Sequence, residues 1–342
     1  MGHQIGWGLM LVFVGGMLNG SFAAPMKRLA AWRWENTWLV YAVTGLLILP
    51  WVIALATVPH LPGVLQQSSG AVLAKVALFG FAWGIGGLLF GQGIARVGLA
   101  LGFAVILGIT SSFGSLLPLA ILHPDQLGTR QGLALIAGTL IMALGLVFLA
   151  VAGKRREREQ ASSGATTSGS SGFAAGLVIC IFSGVFSSML NFAFVFGEEM
   201  RQLSLRAGAS TAMSGNGIWA LAVSTGFLAN GAYCVYLLNR NHTWGVFREK
   251  SAGAGYTMGA ALMGVLWYSG LVVYGMGTDA LGSLGRIVGW PEFMSIDIIA
   301  GILWGFLGGE WKGASRTALA YCLAGIAVLF LAIGTISFGN AS

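Results

Sequence analysis

Ten apolar runs follow one another along this chain, near residues 5–25, 38–58, 72–95, 98–121, 131–152, 173–197, 211–238, 253–277, 287–309 and 316–338. Each has the roughly 20 residues that a helix needs to cross about 30 Å of hydrocarbon. Nothing in a bilayer core can hydrogen-bond an exposed backbone, so such runs fold as helices. Charged residues make up only 8% of the 342 residues. A soluble domain carries about 25%, so water cannot be the main solvent of this surface. The expected fold is an all-α membrane protein with ten transmembrane helices, numbered here as spans 1–10. Lys27 and Arg28 follow the first run instead of preceding it, which reads as a retained span and not a signal peptide.

One long polar stretch, 153–172, separates five spans from five. Its charged start and Ser/Gly/Thr-rich remainder read as a flexible linker. The organisation expected is a five-helix unit over 1–152, the linker, and a second five-helix unit over 173–342. Because five is odd, the second unit crosses the membrane upside down relative to the first. Inverted repeats of this kind enclose a binding site between them in many secondary transporters. Met17-Leu18-Asn19 in span 1 and Met189-Leu190-Asn191 in span 6 are a short echo of such a repeat. All but five of the 18 Lys and Arg residues fall in loops after odd-numbered spans, the exceptions being Lys75, Arg130, Arg201, Arg206 and Arg286. The positive-inside rule puts those loops and the linker in the cytoplasm and both termini in the periplasm of a bacterial inner membrane. The net charge of +7 is thus a matter of membrane orientation, and no nucleic-acid partner is expected.

The chain lacks the constellations of an enzyme. Its histidines, His3, His60, His123 and His242, lie at span ends or in loops, and none pairs with another at metal spacing. There is no HExxH, GxSxG or P-loop. Cys180, Cys234 and Cys322 lie in apolar runs with no CxxC pair and read as small buried hydrophobes. No metal or cofactor is expected. Among eleven acids only Asp297 lies deep in a span, six residues beyond Pro291, with Glu292 nearer the span end. A carboxylate there costs about 2.5–3.5 kcal/mol to insert, and intramembrane acids often carry protons or coordinate ions. Pro291 is expected to open span 9 or break it. Asn19, Gln92, Asn191, Asn216 and Asn230 lie within spans. Amides can be interhelical glue, or together can line a cavity for a hydroxyl-rich ligand. Trp83, Trp219, Trp267 and Trp304 lie deeper than the interfacial tryptophans, and an indole face can pack a sugar ring or simply a neighbouring helix. Two glycine rows, Gly80/Gly84/Gly87/Gly91 and Gly301/Gly305/Gly308, read as packing seams.

Six groups of residues carry a further signal: Ala24-Pro25-Met26-Lys27 with Trp32, Trp34-Glu35 and Trp38; Ile48-Leu49-Pro50-Trp51; Leu78-Phe79-Gly80 through Trp83-Gly84-Ile85-Gly86; Gly98 and Gly108-Ile109-Thr110; Trp267-Tyr268 with Tyr274; and Glu310-Trp311. They are spread over most of the chain, and in them it resembles the bacterial L-rhamnose–proton symporters of the drug/metabolite transporter superfamily. The resemblance implies ten helices in two inverted five-helix repeats and proton-coupled import of a sugar, L-rhamnose or a related monosaccharide. The alternative is an exporter of metabolites or amino acids. Gly87, Leu89 and Gly270 stand where the enterobacterial pattern has amides, which leaves the particular sugar open. The candidate substrate-binding residues are Asn19, Trp83, Gln92, Asn191, Asn216, Trp219, Trp267, Tyr268 and Trp304, with Asp297 and then Glu292 as proton carriers. The expected partners are a sugar, protons and the lipid bilayer.

Overall fold

The computed structural model describes residues 2–97, 99–161, 173–249, 253–282 and 285–340. Among these residues, ten helices are long and apolar enough to cross a membrane. They are spans 1–10: Gln4–Arg28, Trp34–Thr57, Gly70–Ile94, Ala104–Leu122, Arg130–Arg156, Ala174–Arg206, Thr211–Arg240, Gly253–Ala280, Gly285–Leu307 and Arg316–Gly339. Each overlies one of the apolar runs, and the described residues contain no strand. The ends that carry the loops after odd-numbered spans are called the linker side, and the opposite ends the terminal side.

Proline is accommodated inside three of these helices. In span 2 the turn before Pro50 widens to π geometry over Val43–Ile48 and the helix then continues, a common adjustment where a proline removes a backbone donor. Pro118 and Pro291 also lie within continuous helices. Span 9 is therefore neither opened nor broken at Pro291, contrary to the expectation. The linker also begins later than its composition suggests. The helix of span 5 runs through Arg130–Ala161, because Lys154 to Gln160 are good helix formers. Residues 162–172 lie outside the described residues. Hydrogen bonds from the hydroxyl and main-chain N–H of Ser315 hold the Glu159 carboxyl below its ordinary pKa and tie this extension to the start of span 10.

Packing joins the two halves throughout. Span 3 lies along span 6, and span 1 along span 8. Span 4 packs on span 6, and span 1 on span 9. Span 3 packs on span 7, span 2 on spans 7 and 8, span 4 on span 9, and span 5 on span 10. Two three-helix clusters result, spans 3, 4 and 6 and spans 1, 8 and 9, flanked by the pairs 2–7 and 5–10. Within each cluster, small residues set the approach. A methyl on Gly15 would stand 2.8 Å from the Gly270 carbonyl oxygen, and one on Gly86 would stand 2.6 Å from the Ser187 nitrogen.

The glycine rows behave only partly as seams. Gly80 and Gly84 press on span 7 at Ala222 and Gly226, but Gly87 and Gly91 have no described atom within 4 Å of where a Cβ would stand. In the second row Gly305 meets Glu310 and Trp311, Gly308 meets Lys27, and Gly301 again borders open space. All three exceptions lie toward the linker side. The three cysteines are free and buried, as read.

Candidate substrate path

The five largest fully buried side chains among the described residues, Trp219, Tyr268, Tyr274, Phe194 and Phe293, come from spans 6–9. From this core the polar candidates divide into two groups by what their hydrogen bonds do.

The first group runs across spans 3, 8, 1 and 9. Trp83, half-buried on span 3, stacks on Trp267 of span 8 with ring centroids 5.1 Å apart and planes 24° from parallel. Asn19, in the last turn of the span 1 helix, donates from Nδ2 to the Trp267 carbonyl oxygen at 3.0 Å. Beside Asn19, Gly20 lies directly under the Asp297 carbonyl oxygen, leaving no room for a Cβ. Asp297 is therefore at the level of Asn19. Its Oδ1 is buried with no hydrogen-bond partner, and so is the hydroxyl of Tyr268, next to Trp267. A buried polar atom without a partner costs about 1–3 kcal/mol. The two atoms belong to spans 8 and 9, which pack on each other.

The second group is taken up in contacts between helices, most of them toward the terminal side. Asn191 of span 6 is fully engaged. Its Nδ2 donates to the carbonyl oxygens of Gly114 at 2.8 Å and Arg286 at 3.2 Å, and its Oδ1 accepts from the Tyr274 hydroxyl at 3.2 Å. Trp219 has no exposed surface and stacks on Phe194 at 4.1 Å. Asn216 donates to Thr57 Oγ1 at 2.9 Å, tying span 7 to span 2. Asn230 likewise accepts from Trp38 Nε1 at 3.0 Å, between spans 7 and 2. These contacts are the interhelical glue that sequence alone could not separate from ligand contacts.

The remaining candidates lie apart. Gln92 is exposed near the linker-side end of span 3. Trp304 is 41% exposed, and its Nε1 donates to Ser21 Oγ at 2.7 Å. Glu292 is 2% exposed and faces span 10, where Ser337 Oγ donates to its Oε1 at 2.8 Å. Its other oxygen has no partner. No group of three or more His, Cys, Asp or Glu that could hold a metal occurs among the described residues.

Sequence reasoning gave Arg286 no place in a site beyond a possible approach to Asp297, and the structure pairs it instead with Glu198 and Asp279. Its guanidinium is buried, donates to Glu198 at 2.9 Å and to the Phe194 carbonyl oxygen at 3.3 Å, and lies 4.3 Å from the Phe194 ring centroid. A usable signal was the acids facing it from the ends of the neighbouring spans, Glu198 and Asp279.

The model of one protein family, L-rhamnose-proton symport protein (RhaT), matches residues 1–342. This chain belongs to that family. A protein of Cronobacter sakazakii named L-rhamnose-proton symporter is 26% identical over 349 residues, covering all of both chains. Proteins of the same name from Enterobacter sp. (strain 638) and Klebsiella pneumoniae are 26% and 25% identical over 348 residues, again at full length. Members of the family are symporters and not enzymes, which makes this chain a multi-pass membrane protein that imports sugar coupled to protons. The exporter alternative finds no support in these relatives.

Proposed function

We propose that the chain carries L-rhamnose, or a monosaccharide closely related to it, across the bacterial inner membrane together with a proton. The sugar is bound near mid-membrane by Trp83, Trp267, Asn19 and Tyr268, and Asp297 carries the proton. The observation that carries this reading is the vacant hydrogen-bonding capacity of the Asp297 Oδ1 and the Tyr268 hydroxyl. Trp83 and Trp267 supply apolar ring surface for one face of a sugar, and the remaining amide capacity of Asn19 supplies a partner for its hydroxyls. Asn191, Asn216 and Trp219 take a structural role in this reading.

The path lies between inverted five-helix units 1–152 and 173–342, the arrangement implied by the drug/metabolite transporter resemblance. The packing supports it. Exchanging each span with its counterpart five places away turns the 3–6 contact into 8–1, 4–6 into 9–1 and 3–7 into 8–2. The same exchange leaves 5–10, 2–7 and 4–9 unchanged. The excess of Lys and Arg on the linker side supports a cytoplasmic linker and periplasmic termini.

The test is uptake of labelled L-rhamnose by the full chain in proteoliposomes. With an acidic exterior, sugar is expected to rise inside above the external concentration and to fall back when a protonophore is added. Equilibration to one level with or without the gradient would remove proton coupling. Accumulation driven only by an acidic interior would restore the export direction.

A further inference from the structure

The two three-helix clusters are joined very differently at their two ends. At the terminal side, Glu198 and Arg201 come from span 6, and Asp279 and Arg286 come from spans 8 and 9. Arg286 Nη1 is 2.9 Å from Glu198 Oε2, and its Nη2 is 3.6 Å from Asp279 Oδ1. Arg201 pairs with Glu198 at 2.7 Å and approaches Asp279 at 3.9 Å. Every Arg286 pair with Glu198, and every Arg201 pair with Asp279, crosses from one cluster to the other.

The layers beneath repeat this crossing. Asn191 of span 6 donates to the Arg286 carbonyl oxygen, Tyr274 of span 8 donates to Asn191, and Trp290 of span 9 donates to the Thr110 carbonyl oxygen of span 4 at 3.1 Å. Val195 and Leu119 pack on Ile287 and Val288 in one apolar group. From Gly285 to Ile296 every residue of span 9 is buried.

Toward the linker side no such crossing recurs among the described residues. The polar contacts there stay within a cluster, as Ser183 to the Gly86 carbonyl oxygen and Trp304 to Ser21 do, or run to a flanking span. Lys27 and Arg156 both reach Glu310, which ties spans 1 and 5 to the loop after span 9. No hydrogen bond or ion pair between described residues joins spans 3, 4 and 6 to spans 1, 8 and 9 in this half. Gly87 and Gly91 in one cluster and Gly301 in the other border open space.

We propose that Arg286 and Arg201, bridging Glu198 and Asp279, form the gate that closes the terminal side of the sugar path. The structure is the arrangement in which that gate is shut, and from the glycines that border open space we infer that the path opens at the linker side. Opening the terminal side requires the two clusters to part at these pairs, which leaves Arg286 and Asp279 to rehydrate. The inference rests on the transport reading for its purpose, but its test needs no sugar.

The test uses the full chain with Cys180, Cys234 and Cys322 replaced by alanine and one reporter cysteine added. Val195→Cys reports the terminal-side interface, and Gly301→Cys reports the linker-side space. A small water-soluble thiol reagent is added to detergent-solubilised protein. With the gate intact, Gly301→Cys should react quickly and Val195→Cys slowly. Arg286→Gln should raise the rate at Val195→Cys about five- to tenfold and lower the rate at Gly301→Cys, since a coupled two-state equilibrium moves both ends in opposite senses. Loss of packing alone would raise both rates, and that result overturns the gate. Unchanged rates in folded protein overturn it as well, and so does a Gly301→Cys that is unreactive when the gate is intact. If Arg286→Gln does not fold, Glu198→Gln, whose side chain is 49% exposed, makes the same comparison. Should proton-coupled uptake fail while the two rates still move oppositely, the gate stands and only the substrate reading falls.

Discussion

A buried asparagine in one sequence has two readings, and at residue scale the structure separates them by counting partners. Asn19 and Asn191 occupy the same position in a repeated Met-Leu-Asn triplet, so their neighbours in sequence cannot rank them. Asn191 has both donors and its acceptor engaged with spans 4, 8 and 9. Asn19 has one bond, to the Trp267 carbonyl oxygen. Replacing Asn191 by alanine removes the donor to the Gly114 carbonyl oxygen, while the Tyr274 hydroxyl and the Arg286 carbonyl oxygen keep their bond to each other at 3.1 Å. We expect Asn191→Ala to lose about 1–3 kcal/mol of stability, seen as a lower melting temperature of the purified protein. Asn19→Ala should melt within a degree or two of the parent but raise the KM for sugar several-fold. The opposite pattern would exchange their roles. The depth of Asp297 was legible because a lone acid in an apolar run is conspicuous. The engagement of Glu292 with Ser337 was not, because nothing in the sequence says which faces of spans 9 and 10 meet.

At the scale of elements, hydropathy located all ten spans, since a bilayer leaves a backbone no alternative to helix. Composition was a poorer guide to where the helices touch. Four glycines at helical spacing in span 3 look alike in sequence, yet two press on span 7 and two border open space. The difference arises because spans 3 and 7 are in contact at Gly80 and Gly84 but not at Gly87 and Gly91, a property of the partner helix. Gly84→Ala should therefore cost about 1–3 kcal/mol by overpacking against Gly226. Gly87→Ala should stay within about 0.5 kcal/mol of the parent, with thermal unfolding in detergent as the measure. Equal losses would mean that both glycines lie in one continuous seam. The linker boundary was misjudged for a related reason: Lys154 to Gln160 are polar enough to look like a loop and helix-forming enough to extend span 5 beyond its apolar run.

For the whole molecule, contacts run from Trp83 through Trp267 and Asn19 to the neighbouring Gly20 and Asp297, and the proposal makes of them one path beneath the Arg286 ion pairs of the terminal side. Membership of a sugar–proton symport family gives the transport its driving ion. What couples the two substrates is, on this account, the unpartnered carboxyl of Asp297. The direct measurement is transport by Asp297→Asn, which keeps the shape of the protonated acid but cannot release the proton. In proteoliposomes the variant is expected to exchange labelled for unlabelled L-rhamnose at a rate near the parent's, and to show no accumulation when the exterior is made acidic. A variant that still concentrates the sugar with the parent's dependence on the pH gradient would contradict the assignment and move the proton site away from Asp297.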